Sequence, residues 1–317
     1  MRALICGIAG QDGSYLAKLL LDNGHEVIGT SRDAMMASFP GLERLGIRKS
    51  IQTVSMAVND FRSVLNVVQR YRPDAIYNLS GQTSVDLSFE QPVEAMESIC
   101  GGVLNLLETL RLVDWPIRFY NAGSSECFGD SGGQASIETS PFQPRSPYAI
   151  AKASAYWLVK NYRESYGLFA CTGILFNHES PFRPERFVTQ KIVRAAARIH
   201  AGSLERLELG NLNIGRDWGW APDYVDAMWR MLQRPTPDDY LIATGETRSL
   251  EYFVSRAFAH FGLDWNEHVT FNNSLFRPSD IKESRGNPTK AREQLGWEAK
   301  MTVNGVIDAM CEAARTG

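Results

Sequence analysis

Three glycines follow the first apolar segment of the chain and constrain its fold more than any other feature. Residues 2–8 form a short apolar run typical of a buried parallel strand, and residues 14–21 repeat apolar side chains at helical spacing. Gly7, Gly10 and Gly13 lie at the junction. Glycines between a strand and a helix permit a tight turn and let a pyrophosphate approach the amides at the helix N-terminus. The pattern predicts a dinucleotide-binding unit at the start of the chain.

Strand and helix patterns continue to alternate as far as residue 176. The predicted strands lie at 25–30, 75–79, 117–122 and 169–176, and the predicted helices lie at 64–71, 93–111 and 148–166. Such alternation favours a parallel, doubly wound sheet with right-handed crossovers. We therefore predict an α/β fold of the Rossmann type, with a dinucleotide-binding domain at residues 1–177.

The alternation ends after residue 177, where prolines and longer loops interrupt the chain. This change predicts that residues 178–317 form mainly a smaller, irregular lobe that holds the substrate. Segments around 211–245 are expected to return to the main sheet.

The composition excludes several classes of protein. A net charge of −3 over 317 residues favours neither a nucleic-acid surface nor a polybasic membrane patch. No apolar run reaches the roughly 18 residues that a membrane span requires. The five cysteines are odd in number and contain no Cys-x-x-Cys pair. We therefore expect reduced thiols in a cytoplasmic protein, without a metal site.

A tyrosine and a lysine stand four residues apart in the predicted helix 148–166. Tyr148 and Lys152 would share one helix face, about one turn apart. The ammonium group would lower the pKa of the phenol and hold a cofactor sugar, so Tyr148 could act as a base. The pair alone is also typical of a solvated helix face. Together with the N-terminal glycines, it resembles the extended short-chain dehydrogenase/reductase superfamily.

The residues after the second predicted strand bear on the choice between NAD and NADP. An acidic residue there holds the ribose 2′-hydroxyl of NAD, whereas arginine accommodates the 2′-phosphate of NADP. Ser31 and Arg32 favour NADP, and Asp33 keeps NAD open.

Longer motifs resemble the GDP-mannose 4,6-dehydratase family over nearly the whole chain. The most specific is Asn-His-Glu-Ser-Pro at 177–181, and others are Gly-Gln-Asp-Gly-Ser-Tyr-Leu at 10–16 and Arg-Asp-Trp-Gly at 216–219. The resemblance implies three linked steps on one sugar nucleotide: oxidation at C4, loss of water across C5 and C6, and return of the hydride to C6. The net redox change is zero, so the cofactor is regenerated in each turnover.

The resemblance also implies roles for individual residues. Tyr148 would accept the proton of the sugar 4-hydroxyl, Ser124 would hydrogen-bond the 4-oxygen, and Glu126 would remove the C5 proton. Lys152 would bind the nicotinamide ribose. The expected cofactor-binding residues are Gly7, Gly10, Gln11, Asp12, Gly13, Ser31, Arg32, Val58, Leu79, Gly81, Gln82, Tyr148, Lys152, His178 and Arg183. The expected residues around the GDP-sugar are Ser84, Ser124, Glu126, Asn177, Val188, Lys191, Arg216, Arg277 and Asp280.

The chain departs from the family pattern after the second strand. The family's usual Arg-Arg pair becomes Ser31-Arg32-Asp33, and residues 35–39 differ from the loop that in such enzymes reaches a neighbouring subunit. The cofactor and the oligomer, a homodimer or a homotetramer, therefore stay open.

Alternative functions also stay open. The same chemistry on another sugar nucleotide, such as a GDP-manno-heptose, fits the sequence because pocket shape sets the sugar. A nucleotide-sugar reductase or epimerase of the same fold would not need the carboxylate of Glu126. A non-catalytic sugar-nucleotide-binding subunit would not need Tyr148 or Lys152.

Overall fold

The computed structural model describes residues 1–275 and 279–315 of the chain. The strands of these residues are β1 Arg2–Cys6, β2 Glu26–Ser31, β3 Gln52–Ser55, β4 Ala75–Asn78, β5 Arg118–Ala122, β6 Ala170–Leu175, β7 Asn177–Glu179, β8 Leu207–Leu209, β9 Gly215–Trp220, β10 Tyr240–Ile242, β11 Thr247–Ser249 and β12 Val269–Phe271. The α-helices are α1 Gln11–Asp22, α2 Pro40–Arg44, α3 Phe61–Tyr71, α4 Val85–Glu90, α5 Pro92–Ala95, α6 Gly102–Leu112, α7 Pro147–Tyr166, α8 Val188–His200, α9 Ala221–Gln233, α10 Leu250–His260, α11 Trp265–His268, α12 Thr289–Leu295 and α13 Val303–Arg315.

Seven parallel strands of the described residues form the main sheet, in the order β10-β6-β5-β4-β1-β2-β3. Apolar side chains of α1 and α9 cover one face, and those of α3, α6 and α7 cover the other. The strand order reverses at β1, which pairs with β2 on one side and β4 on the other. This is the predicted Rossmann-type α/β fold. Ligands of such sheets bind beyond the carboxyl ends of the strands at this point.

The C-terminal half of the chain builds a second apolar core. Side chains of α8, α10 and α13 pack together there, beside a three-stranded sheet in the order β11-β9-β7. Of the segment 211–245, α9 packs against the main sheet and β10 pairs with β6, whereas β9 belongs to the small sheet. The proposed domain boundary after residue 177 stays a prediction.

Some elements differ from the predicted ones. The edge strand β3 was not predicted from the sequence. The predicted helix 93–111 is built from α5, a π-helical stretch at Met96–Gly101 and α6. The first strand ends at Cys6 because Gly7 has a φ of +87° and starts the turn into α1. Among the described residues, no helix is both long and apolar enough to cross a membrane.

Candidate active site

A cavity of about 370 Å³ opens beyond the carboxyl ends of β4, β5 and β6. The start of α8 and the strands β7, β8 and β9 supply residues to its other side. Residues that lie far apart in the sequence therefore line one space. The predicted site residues in its walls are Asp12, Leu79, Ser84, Ser124, Glu126, Tyr148, Lys152, Asn177, His178, Arg183, Val188, Lys191, Arg216 and Asp280.

The predicted catalytic residues reach the cavity from two capped elements. A short 3₁₀ turn, Ser125–Phe128, follows β5, and the hydroxyl of Ser124 accepts a hydrogen bond from the backbone N–H of Glu126 at 3.3 Å. At the start of α7, the hydroxyl of Ser146 accepts from the backbone N–H of Ala149 at 3.1 Å. Such caps satisfy N–H groups at a helix start and hold the first turn in place. The caps therefore fix the backbone that carries Glu126 and Tyr148.

Burial changes the proton affinities of Tyr148 and Lys152. Burial raises the pKa of Tyr148, although a hydrogen bond with Ser124 opposes the change. The prediction that the pKa of this phenol is lowered is therefore wrong for this arrangement, because desolvation disfavours the phenolate. Burial also lowers the pKa of Lys152 to about 8. The ammonium nitrogen donates to the backbone oxygen of Ala122 at 2.7 Å and lies 5.8 Å from the Tyr148 ring centroid.

The glycine turn fits a dinucleotide pyrophosphate. A β-carbon on Gly7 would lie 2.8 Å from the backbone oxygen of Leu79, and one on Gly13 would lie 2.5 Å from that of Gly7. Both distances are too short for a side chain. No side chain caps the start of α1, so its first N–H groups can meet an anion. The glycine turn and the start of α1 therefore suit the pyrophosphate of the dinucleotide that the sequence predicts.

The side chains of Gln11 and Asp12 contact the segment that follows β6. The amide of Gln11 donates to the backbone oxygen of His178 at 3.2 Å and accepts from the hydroxyl of Ser180 at 2.7 Å. The carboxylate of Asp12 lies 2.8 Å from Nε2 of His178. We call these three contacts the α1–β7 clamp. The clamp joins the glycine turn to the strand that carries Asn177.

The hydrogen bonds of His178 favour a positive charge on its ring. Its Nδ1 lies 2.7 Å from the backbone oxygen of Phe176, and its Nε2 faces Asp12. Both oxygens are acceptors, so this arrangement favours a proton on each ring nitrogen and hence the positively charged imidazolium. Burial opposes this charge most strongly, but attraction to Asp12 and the hydrogen bonds to Asp12 and Phe176 together outweigh burial and raise the pKa of His178. The ring also stacks on Tyr224, with centroids 4.5 Å apart.

The other expected cofactor residues lie outside the cavity walls. Ser31 pairs with Ser55 at the ends of β2 and β3, and Arg32 follows on the exposed surface. The carboxylate of Asp33 accepts from the backbone N–H groups of Met35 and Met36 at 3.0 and 3.1 Å. Asp33 therefore serves as the cap of its own loop. The remaining residues outside the walls are Gly7, Gly10, Gln11, Gly13, Val58, Gly81 and Gln82.

The wall expected to hold the nucleotide is rich in cations. The guanidinium of Arg216 is buried, donates to the backbone oxygen of Ile281 at 2.8 Å and pairs with Asp280 at 3.3 Å. The ammonium of Lys191 donates to the backbone oxygen of Glu208 at 2.7 Å. Guanidinium and ammonium groups suit a diphosphate. Arg277 lies outside the described residues.

Several cavity residues were not predicted from the sequence. Thr83, Asp86, Glu179 and Arg186 all line the cavity. Glu179 is buried, accepts from the Thr189 hydroxyl at 2.8 Å and pairs with Arg183 at 3.2 Å. Its place within Asn-His-Glu-Ser-Pro was the available signal. Thr83, Asp86 and Arg186 lie in loops or at helix starts, without a pattern that marks them.

Comparison with known proteins identifies the family. The sequence profile described as GDP-mannose 4,6 dehydratase matches residues 4–310. The chain belongs to the GDP-mannose 4,6-dehydratase family. It is 42% identical over 320 residues to GDP-mannose 4,6 dehydratase 1 of Arabidopsis thaliana, covering 98% of this chain and 88% of that protein.

A bacterial relative gives a similar result. GDP-mannose 4,6-dehydratase of Sinorhizobium fredii is 41% identical over 337 residues, covering 99% of this chain and 95% of that protein. Among solved structures, UDP-glucose 4-epimerase of Thermus thermophilus in complex with NAD has a TM-score of 0.87 at 25% identity, covering 99% of each chain. This epimerase therefore shares the overall fold of the chain.

Proposed function

We propose that this protein removes water from GDP-mannose to give GDP-4-keto-6-deoxy-mannose. The observation that carries the proposal is that Ser124, Glu126, Tyr148 and Lys152 line one cavity together with the cationic side chains of Lys191 and Arg216. Full-length similarity to named GDP-mannose 4,6-dehydratases supports the substrate.

Each catalytic residue has a proton-handling or positioning role in this proposal. Tyr148 accepts the proton of the 4-hydroxyl, and Ser124, which shares a hydrogen bond with the phenol, orients the same oxygen. Lys152 is anchored by Ala122 and, with a pKa of about 8, carries positive charge in most molecules at neutral pH. A positive charge 5.8 Å from the Tyr148 ring favours the phenolate, against the burial that raises the pKa of Tyr148. Glu126 removes the proton at C5, which the neighbouring carbonyl makes acidic, and protonates the departing 6-hydroxyl.

A nicotinamide dinucleotide bound at the glycine turn would supply reversible hydride transfer. We propose that it is NADP. Asp33 is engaged by its own loop, whereas Arg32 is exposed and has no ion pair in the described part of the chain. Arg32 is therefore the better placed of the two to meet a ligand, and a guanidinium suits a 2′-phosphate. This proposal rests on the side chains after β2.

We also propose that the protein acts in the cytoplasm as a homodimer. Exposed apolar side chains lie on α6 and α7, among them Leu104, Ile150 and Trp157, with 39%, 47% and 55% of their surface accessible. Ile150 and Trp157 are seven residues apart on α7, so they lie near one face of that helix. An exposed apolar face on two neighbouring helices suits a second copy of the same face.

Mass spectrometry tests the proposed reaction. Purified protein is incubated with GDP-mannose without added reductant, and the mass of the sugar-nucleotide product is measured. The mass of the dinucleotide released on denaturation distinguishes NADP from NAD. We expect a product lighter by one water and no net NADPH.

The matched variant is Glu126→Gln, which keeps the size of the side chain but removes the base. We expect elimination to fall at least about 100-fold while the nucleotide stays bound. Loss of water from a GDP-heptose alone would change the substrate and keep the chemistry. No loss of water from either would contradict the proposal, and full turnover by Glu126→Gln would contradict the role of Glu126.

A further inference from the structure

Arg183, Arg186, Lys191 and Arg216 are cationic side chains that line the cavity, and their partners differ. The guanidinium groups of Arg183 and Arg216 pair with Glu179 and Asp280, respectively. Lys191 donates to a backbone oxygen of β8. Arg186 is exposed, and no carboxylate pairs with its guanidinium within residues 1–275 and 279–315. Its charge is therefore available to an anionic ligand.

Arg186 stands just before a helix start that also attracts anions. The helix α8 begins at Val188, and no side chain caps its first turn. Val188, Thr189 and Lys191 of this first turn line the cavity. Uncapped N–H groups and the helix dipole both favour negative charge at such an end. Arg186 therefore adds its positive charge to a wall that is already suited to phosphate.

Two contacts hold Arg186 at the rim of the cavity. Its Nη2 donates to the hydroxyl of Thr83 at 3.0 Å, and Thr83 lies in the loop after β4 and also lines the cavity. Its guanidinium carbon lies 5.3 Å from the ring centroid of Phe187. The guanidinium carbon of Arg183 lies 3.8 Å from the same centroid. The contact with Thr83 is a single hydrogen bond to a neutral, exposed group. It can be exchanged for a charged partner at small cost.

We propose that Arg186 is a further substrate-binding residue, which leaves Thr83 and binds the diphosphate of the sugar nucleotide. The inference rests on the proposed function, because it takes a GDP-sugar as the ligand of this cavity. Arg183 and Arg216 already share their charge with carboxylates, so Arg186 adds, beside Lys191, positive charge that a diphosphate needs on this wall. The cation–π contact with Phe187 keeps the guanidinium near the rim while it changes partner.

Calorimetric titration with GDP and with guanosine tests this assignment without catalysis. Arg186→Gln should weaken GDP binding by about tenfold to a hundredfold, as loss of a charge-assisted hydrogen bond does. Guanosine, which lacks phosphate, should bind both proteins equally. Arg186→Lys should recover part of the GDP affinity.

The control is Arg62→Gln, which removes the same charge from an exposed position on α3 and should leave GDP binding unchanged. Equal affinity for GDP in wild type and Arg186→Gln would overturn the role of Arg186. An equal loss of guanosine affinity would also overturn it, because the contact would then not be to phosphate. Wild-type protein that binds no GDP would instead overturn the proposed function.

Discussion

The charge of the buried His178 ring depends mainly on its ion pair with the carboxylate of Asp12. Burial opposes the imidazolium of His178 most strongly, and Arg183 adds to that opposition. Attraction to Asp12 and the hydrogen bonds to Asp12 and Phe176 together outweigh both and raise the pKa of His178. The pKa of Asp12 is lowered in turn, because attraction to His178 and hydrogen bonds outweigh its own burial. Tyr224 stacks on the ring and adds no charge. The raised pKa of His178 therefore depends mainly on Asp12, with a smaller contribution from the hydrogen bond to the backbone oxygen of Phe176.

This contact predicts how stability changes with pH. Because folding raises the pKa of His178, the pair stabilises the fold fully below the unfolded pKa, about 6.5, and loses this contribution as pH rises through the folded value. Asp12→Asn should abolish this loss between neutral and alkaline pH, as measured by urea unfolding at a series of pH values.

Nuclear magnetic resonance gives an independent measurement on the same ring. The midpoint of His178 should lie above about 6.5 in wild type and below it in Asp12→Asn, where burial and Arg183 outweigh the remaining hydrogen bond to Phe176. His25 is an internal reference, since burial lowers its pKa. A wild-type midpoint of His178 at or below that of His25 would contradict the assignment.

The sequence predicted which residues line the site where a motif includes both the residue and its neighbours in the chain. Ser124, Glu126, Tyr148 and Lys152 do line one cavity. Their environment could not be predicted, because burial depends on the whole fold: the pKa of Tyr148 is raised rather than lowered. Arg186 was missed because no sequence pattern marks a single exposed arginine in a loop. Its proposed role becomes visible only when the ion pairs of the neighbouring arginines are known.

At the scale of elements, one buried ion pair connects α7 to the edge of the main sheet. Arg163, near the end of α7, forms two hydrogen bonds of 2.9 and 2.7 Å to Asp239, which precedes β10. Asp239 also accepts from the backbone N–H of Thr172 in β6 at 2.7 Å. The side chains of Arg163 and Asp239 are only 15% and 5% accessible. Removing one partner would leave a buried charge without compensation.

We therefore expect Arg163→Met to lower the free energy of unfolding by about 3–5 kcal/mol. The control is Arg198→Met, which breaks two ion pairs at a position whose side chain is 46% accessible and should cost less than about 1 kcal/mol. Urea unfolding of both variants measures the difference. Similar decreases in the free energy of unfolding of the two variants would show that burial does not determine how much the Arg163–Asp239 ion pair stabilises the fold.

The predicted elements were most accurate where the apolar pattern was long. The helix predicted at 148–166 is α7, which extends one residue further at its start, to Pro147. The strand β3 was missed because Gln52–Ser55 is only four residues long and half-buried at the sheet edge. Its pairing with β2 depends on neighbours that the local sequence does not specify.

At the scale of the whole molecule, the apolar face on α6 and α7 predicts the assembly. Ile150→Arg places a charge within that face and should convert the dimer to a monomer, because an unpaired buried charge is costly. Light scattering should give twice the chain mass of 35.4 kDa for wild type and 35.4 kDa for the variant. Leu204→Arg, at a side chain that is 99% accessible, should remain dimeric. A monomeric wild type, or a dimeric Ile150→Arg, would contradict the proposed interface.

The α1–β7 clamp has a thermodynamic consequence for the order in which ligands come and go. It joins the turn that would meet the cofactor pyrophosphate to the strand that bears Asn177. A ligand that orders either segment lowers the entropy cost of ordering the other, and such coupling free energy is reciprocal. A sugar nucleotide that gains affinity from the cofactor must therefore tighten the binding of that cofactor by the same free energy. Turnover would then reinforce the retention of a coenzyme that each catalytic cycle returns to its starting state.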